Sequence, residues 1–217
     1  MANQPPSNYD ESEADPCRQI AEAVRDILAS IGEDLDREGL IQTPKRVAQM
    51  YTELTAGYQV DLNALVNGAI FHVDYPEMVV VLAIDFSSLC EHHLLPFFGK
   101  VHVAYIPDGR VIGLSKIPRI VEMYARRLQM QERMTVEIAH ALQHILEPKG
   151  VGIIVEAKHM CTMGRGVEKI NARMVTRAML GNFEDANIRN EFISHIGYKD
   201  EDSTHHPHDH QHEERFA

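Results

Sequence analysis

The sequence predicts an α+β fold in which a helical N-terminal region precedes a core of strands and helices. Between residues 17 and 67, apolar residues recur at the three- and four-residue spacing of helices. After residue 68, short valine-rich runs typical of strands are separated by longer segments with helical periodicity. With 217 residues and 44% hydrophobic content, the chain is large enough for one such core, which we expect over 68–197.

The N-terminal region, 17–67, contains two predicted helices. The first begins at Cys17, carries apolar residues every three or four positions, and stops at Gly32. In the second, Thr43 is predicted as the N-cap and Pro44 as the first helical residue, and the helix is expected to end near residue 57. This region is therefore expected to form helices that precede the core in the chain.

The core is predicted to contain four strands and three helices. Ser115 is a candidate N-cap for the first of these helices, and Pro148 and Gly150 end the second. The segment 90–96 lies in the connection between the first two strands, and 159–166 is predicted as a loop. The predicted strands span 78–84, 100–106, 151–157 and 173–180, and the predicted helices span 115–128, 134–147 and 185–196.

The two chain ends differ from the core in composition. Residues 1–16 and 198–217 are polar and nearly free of aliphatic side chains, and each carries a formal charge of −4. Both are therefore expected to be disordered. The second contains a histidine-rich run, His205 to His212, which is either a weak metal-binding tract or without a role.

Composition and charge exclude several classes of protein. No apolar stretch approaches the roughly 18 residues of a membrane span, and the N-terminus lacks the pattern of a signal peptide, so we expect a cytoplasmic protein without membrane contact. A formal charge of −11 argues against a surface that coats nucleic acid, and a polyanionic ligand must be held by a local cluster of bases. Three cysteines suit metal ligation better than a disulfide framework, with Cys17 a bystander.

Two short segments concentrate metal ligands. Cys90 and His93 lie three residues apart, and Cys161, roughly 70 residues further on, can close on the same ion. Two thiolates and one imidazole make three ligands, whereas structural zinc sites normally take four. The count predicts a catalytic metal site, and zinc suits this soft ligand set.

Five motifs occur in order over roughly residues 39–196. They are Gly39-Leu40 with Thr43-Pro44-Lys45-Arg46-Val47-Ala48, CEHHLLP at 90–96, Ile112-Gly113-Leu114-Ser115-Lys116, RRLQMQER at 126–133, and HMCTMGRGVEK at 159–169. Together and in this order they resemble the GTP cyclohydrolase I family. That family opens the purine ring of GTP and recloses it as dihydroneopterin triphosphate. The resemblance implies the tunnelling fold, an antiparallel sheet with helices packed on one face. It also implies assembly into a toroidal homodecamer whose sites are shared between subunits.

The resemblance further implies roles for particular residues. Zinc would be held by Cys90, His93 and Cys161. Ring opening requires protons at purine N7 and at the ribose ring oxygen, and His92 and His159 match the family's acid–base histidines, although which proton each handles stays open. The remaining matches are Ser115 for the later sugar rearrangement, Glu132 with Gln131 beside it for guanine, and Lys116, Arg119 and Arg165 for the triphosphate.

Several of these residues have a simpler alternative. Glu132 would otherwise be an exposed helix carboxylate, Ser115 only an N-cap, and Arg126 and Arg127 a solvated helix face or a subunit contact. Glu91 is unassigned, with support of the metal ligands as its one candidate role. Structural roles are expected for His72, His102, His140 and His144.

Two positions depart from the family pattern, Gly164 before Arg165 and Arg177 on the predicted last strand, although neither replaces a residue assigned to chemistry. They leave open the alternative that this chain is a catalytically silent homologue, which binds GTP or regulates a partner. A pyruvoyltetrahydropterin synthase or a deazaguanine nitrile reductase is a further alternative, against which the intact metal and phosphate sets argue. Whether the product serves folate, tetrahydrobiopterin or deazaguanine synthesis also stays open.

Overall fold

The computed structural model describes residues 16–197, so the predictions for 1–15 and for 198–217 lie outside the described residues. The N-terminal region is helical, as predicted. It contains α1 (Pro16–Ser30), α2 (Thr43–Leu54), a 3₁₀ helix (Ala56–Gln59) and the short helix α3 (Leu62–Val66). No helix between residues 16 and 197 is both long and apolar enough to cross a membrane.

The predicted start of α2 is wrong by one residue. Gln42 occupies the N-cap position, and Thr43 already lies inside the helix. The Thr43 hydroxyl donates a hydrogen bond to the carbonyl oxygen of Gly39, at 3.3 Å, and so does not cap the free N–H groups of the first turn. Pro44 remains near the first helical position, where its missing N–H is least costly.

A five-stranded mixed sheet forms the centre of the molecule. Its strands are β2 (Val79–Cys90), β3 (Pro96–Ile106), β5 (Leu128–Gln129), β6 (Gly150–His159) and β7 (Met174–Gly181), while β1 (Ile70–His72) and β4 (Arg110–Ile112) form a separate antiparallel pair. The order in the sheet is β5-β2-β3-β6-β7. The four long strands are antiparallel to their neighbours, as predicted, but β5 runs parallel to β2.

Strands β2 and β3 are longer than predicted, which shortens their connection to residues 91–95. The apolar run that predicted β2 ends at Ile84, because three of the next four residues, Asp85, Ser87 and Ser88, are polar. The ladder nevertheless continues, because Leu89 still pairs with Pro96 on β3. Cys90 is therefore the last residue of a strand rather than part of a long loop.

Helices cover both faces of the sheet, which corrects the prediction of helices on one face only. Helices α4 (Lys116–Ala125) and α5 (Gln131–Leu146) pack on the face that carries the larger core. Helix α7 (Ala186–Gly197) packs on the opposite face, where Phe192 belongs to a second, smaller buried cluster with Ala104 of β3 and Ile154 of β6. The larger core includes the fully buried Val101, Val103, Tyr105, Ile120, Ile138 and Leu142.

Two boundaries that differ from the predictions bear on the functional site. Helix α4 ends at Ala125 rather than near Leu128, because residues 128 and 129 form β5 beside Cys90. The segment predicted as a loop from His159 contains the last residue of β6 and a short helix, α6 (Met160–Met163).

A bulge in β2 explains the structural role predicted for His102. Leu82 and Ala83 on β2 stand opposite the single residue His102 on β3, because the register shifts between Val81 and Ile84. Ala83 has a φ of 55°, and its backbone N–H donates to Nδ1 of the buried His102 at 3.3 Å. The imidazole therefore satisfies a backbone donor that the bulge removes from the ladder.

Candidate active site

Three predicted metal ligands meet at one edge of the sheet, where β2 and β6 end and β3 begins. Cys90 closes β2, and its backbone N–H and C=O bond Leu95 and Leu94 across a tight turn, each at 2.9 Å. Strand β6 pairs with β3 through Phe97 and His159, so Cys161 in the following helix α6 lies beside that turn. The ligand atoms of Cys90, His93 and Cys161 all lie within 4.8 Å of one another.

The geometry of this cluster fits a four-coordinate metal ion. Two thiolates and one imidazole bound to a tetrahedral zinc ion would have their donor atoms about 3.6 Å apart. The distance from Cys90 Sγ to His93 Nδ1 is 3.9 Å, close to that spacing. Within residues 16–197 no other three His, Cys, Asp or Glu side chains form such a group. Three protein ligands leave one coordination position free.

The protonation of Cys161 depends on the groups around it. Burial raises the pKa of the Cys161 thiol, and the neighbouring Cys90 raises it further. Arg165 acts in the opposite direction, because its positive charge favours the thiolate. A metal ion would displace the thiol protons, so its binding should release protons.

His92 lies next to the cluster without belonging to it. Its Nδ1 is 3.9 Å from Cys90 Sγ, but the group of mutually close ligand atoms contains His93 instead. Its Nε2 lies 4.0 Å from Oε1 of Glu91, and its side chain is 61% exposed. The ring is therefore accessible to a ligand that approaches from solvent.

The ring of His159 is fixed by more contacts than the ring of His92. Its ring stacks on Phe97, with centroids 4.5 Å apart and planes within 1°. Its Nε2 lies 2.9 Å from Oε1 of Gln131. Burial lowers the pKa of His159, and the charge of nearby Glu132 partly offsets this.

The hydrogen bonds of Gln131 determine which nitrogen of His159 carries a proton. Gln131 is fully buried, and its Nε2 faces the carbonyl oxygens of Val155 and Met174, each at 3.1 Å. Carbonyl oxygens only accept, so the amide nitrogen must point toward them and Oε1 toward the histidine. His159 Nε2 therefore donates to Gln131, and Nδ1 of the neutral ring is left unprotonated. Gln131 was predicted from the sequence to bind substrate, and no local pattern indicated its contact with His159.

The predicted phosphate-binding residues are divided between two places. Arg165 is exposed and close enough to Cys161 to affect its pKa. Lys116 and Arg119 instead line a cleft of about 760 Å³ between α4 and the N-terminal region, where Lys116 Nζ donates to the carbonyl oxygen of Leu65 at 2.6 Å. The described residues lining that cleft include none of the three metal ligands.

Ser115 is exposed and immediately precedes α4, but it does not cap the helix. Its backbone is already helical, with φ −65° and ψ −14°, and its side chain makes no capping hydrogen bond. Ser115 therefore occupies the predicted N-cap position without making the capping hydrogen bond, and its expected part in the sugar rearrangement stays a prediction. Glu132, the second residue of α5, is exposed as the guanine-binding role requires.

Two arginines have contacts that the sequence did not indicate. Arg127, expected on a solvated face or at a subunit contact, donates to the carbonyl oxygens of Met123 and Gly57, and its guanidinium lies over the ring of Tyr124. Arg133 forms an ion pair with Glu91, and this hydrogen bond lowers the pKa of the Glu91 carboxyl group. A charged run on a helix gives no sign of such long-range partners.

Fold and site together define an α+β protein with a three-ligand cluster that could hold a metal ion beside a partly buried histidine. The profile of the GTP cyclohydrolase I family matches residues 20–197, and the chain belongs to that family.

Curated relatives agree with this assignment. GTP cyclohydrolase 1 of Leptospira biflexa is 55% identical over 174 residues, which are 80% of this chain and 95% of the relative. GTP cyclohydrolase 1 of Alkalilimnicola ehrlichii is 56% identical over 179 residues, 82% of this chain and 97% of the relative. The protein named GTP cyclohydrolase 1 2 of Pseudomonas aeruginosa is 57% identical over 171 residues, 78% and 94% of the two chains.

Proposed function

We propose that this protein is a cytoplasmic GTP cyclohydrolase I. It opens the imidazole ring of GTP by hydrolysis at C8, releases formate, and recloses the product as 7,8-dihydroneopterin triphosphate, a first step of pterin synthesis. The observation that carries the proposal is the convergence of Cys90, His93 and Cys161 beside His159, in a chain of this family.

Zinc is the proposed cofactor, held by Cys90, His93 and Cys161. When bound, zinc lowers the pKa of a water molecule toward neutrality and so supplies the nucleophile that hydrolysis at C8 requires. The chain's own contribution is to hold three ligands on one side of the ion and to leave the fourth coordination position open to substrate.

Two histidines are proposed to move the protons. His159 is oriented by Gln131 and by stacking on Phe97, so its unprotonated Nδ1 is the atom available to accept and return a proton. His92 is exposed on the turn that carries His93 and can act on a second atom of the substrate. Purine N7 and the ribose ring oxygen are the two atoms that need protons during ring opening.

Glu132 is proposed to recognise guanine. Its carboxylate is exposed and near His159, and a carboxylate can accept from both N1–H and N2–H of the base. Gln131 is proposed to act at the same place, by orienting His159 through its buried amide.

A single substitution tests this recognition. Glu132→Gln should weaken GTP binding by about 1.5 to 3 kcal/mol, the size of a charge-assisted hydrogen bond. Isothermal titration calorimetry would measure the loss, with Glu147→Gln at the other end of α5 as the control. Equal affinity of Glu132→Gln and the unaltered protein would contradict the assignment.

Triphosphate binding is proposed to involve more than one subunit. Arg165 lies near the metal ligands, whereas Lys116 and Arg119 line a different cleft of the same chain. A homo-oligomer, which we propose to be a decamer, would bring the cleft of one subunit to the metal cluster of another. Ser115, which precedes Lys116, would then serve the sugar rearrangement at that shared site.

The decisive experiment is incubation with GTP. After oxidation and dephosphorylation, neopterin fluorescence should appear in proportion to the formate released. A protein that holds zinc and binds GTP but releases no formate would be the silent homologue, and the proposed activity would then be wrong.

A further inference from the structure

The turn between β2 and β3 is connected to the rest of the fold by a side-chain contact, which Glu91 makes with Arg133. His92, His93 and Leu94 are exposed, so burial contributes little to the conformation of this turn. Among the described residues, only Glu91 of residues 91–94 has a side chain that hydrogen-bonds to a distant element, the helix α5. Its backbone N–H also donates to the carbonyl oxygen of Gln129, at 3.1 Å.

The anchor itself is part of a connected network. Arg133 donates to the carboxylate of Glu91, to Oε1 of Gln129 and to the carbonyl oxygen of Leu128, the last two at 3.0 Å. Gln129 is buried, and its Nε2 in turn donates to Glu137 at 2.8 Å. One guanidinium thus joins the turn, strand β5 and helix α5, in the fixed fork geometry that only arginine offers.

We infer that Arg133 is a positioning residue for the metal-bearing turn. Through Glu91 it holds the backbone between Cys90 and His93, so that both ligands face one point before an ion binds. Outer groups that orient metal ligands typically change metal affinity or activity by about 10- to 100-fold when they are removed. The inference deepens the proposed function and rests on it, because it assumes a metal at Cys90, His93 and Cys161.

Zinc affinity, measured by competition with a chelator on the metal-free full-length protein, tests the inference without using GTP. Glu91→Gln and Arg133→Gln should each bind zinc about 10-fold more weakly or worse. The double variant should lose little more than either single variant, because both break the same contact.

The signs of the two effects separate positioning from general electrostatics. If only charge mattered, loss of the positive Arg133 would strengthen binding of a cation and loss of the negative Glu91 would weaken it. Positioning predicts that both variants weaken it. Zinc binding by Arg133→Gln that is unchanged or tighter would overturn the inference.

Two further variants complete the design. Arg110→Gln breaks the ion pair with Glu147 at the far end of α5 and should leave zinc affinity unchanged. If Arg133→Gln does not fold, Arg133→Lys keeps the charge but not the three contacts, and it should still weaken zinc binding. Unaltered affinity in a folded Arg133→Lys would count against positioning. Failure of the unaltered protein to bind zinc would instead refute the proposed metal site, and the inference with it.

Discussion

At the scale of single residues, the proposed metal site depends on three side chains that come from two distant segments. Cys90 and His93 share a turn, whereas Cys161 arrives from α6. Removing one thiolate from a three-ligand site leaves too few donors to hold zinc firmly. The metal should therefore depend on each cysteine of the pair.

Cys161→Ser should lose both metal and activity while the fold survives. We expect less than about a tenth of the zinc content of the unaltered protein by atomic absorption, because a hydroxyl is a far poorer zinc ligand than a thiolate. Cys17→Ser, in helix α1, is the matched control and should keep its zinc. Full turnover in a zinc-free Cys161→Ser protein would refute the metal assignment.

The histidines should affect chemistry without affecting metal content. His159→Ala and His92→Ala should retain zinc and bind GTP but turn over at least about 100-fold more slowly, the usual contribution of a positioned acid–base group. Formate release and neopterin formation, measured separately, would show which step each residue serves. His140→Ala, exposed on α5, is the control. Near-normal turnover by either variant would mean that its histidine is structural.

At the scale of elements, the buried His102 at the bulge in β2 should make the stability of the fold depend on pH. Burial lowers the pKa of His102, with the charge of Glu156 opposing this and that of Lys100 adding to it. The unfolded chain therefore binds a proton at a higher pH than the folded chain does. Stability contributed by neutral His102 is present above the unfolded pKa of about 6.5 and is lost as the pH falls below it.

His102→Gln should flatten this pH dependence. Between pH 7 and pH 5, the unaltered protein should lose up to about 1.4 kcal/mol per pH unit through this one group, the limit for a single proton. Urea unfolding at several pH values would measure the slope, with the exposed His140→Gln as control. Identical slopes for His102→Gln and the unaltered protein would show that His102 does not titrate differently on folding.

The short strand β5 shows how a small element determines the site. It connects α4 to α5 and pairs with the end of β2 through Cys90 and Gln129. This pairing brings α5, with Gln131 and Arg133, close to the turn that carries two of the proposed metal ligands. A continuous helix to residue 128, as predicted from the apolar pattern, would have left no strand to make that connection.

At the scale of the whole molecule, one chain does not collect all of its predicted site residues. Arg119 lies in the cleft beside the N-terminal region, and His159 lies at the metal cluster. The proposed site across a subunit interface would account for this separation, because each subunit would contribute one of the two parts.

Mixing inactive variants tests such an interface. His159→Ala and Arg119→Ala chains, unfolded together and reassembled, should regain part of the activity that each lacks alone, because some sites would receive both intact residues. Light scattering should meanwhile give a mass several times that of the 24.6 kDa chain. A fully active monomer would contradict the shared site.

Local sequence patterns were sufficient for much of the fold. Periodicity of apolar residues indicated α1, α2, α5 and α7, and short apolar runs indicated the four long strands, because these patterns reflect which side of an element is buried. That Cys90, His93 and Cys161 come together in a group that could hold a metal ion was also predictable in outline, since ligand type and the short spacing of Cys90 and His93 are visible in the chain. Element ends were less accurate, as at Thr43 and Leu128.

Only the tertiary structure determined how the site residues are held. The contact between Gln131 and His159 joins residues 28 positions apart, and that between Glu91 and Arg133 joins residues 42 apart. No pattern of neighbouring residues in the sequence indicates either contact, because both depend on the pairing of β3 with β6, on the parallel β5 strand and on the packing of α5. Composition and spacing thus determined which chemical groups are available, and packing over long sequence separations decided which of them meet and in which orientation.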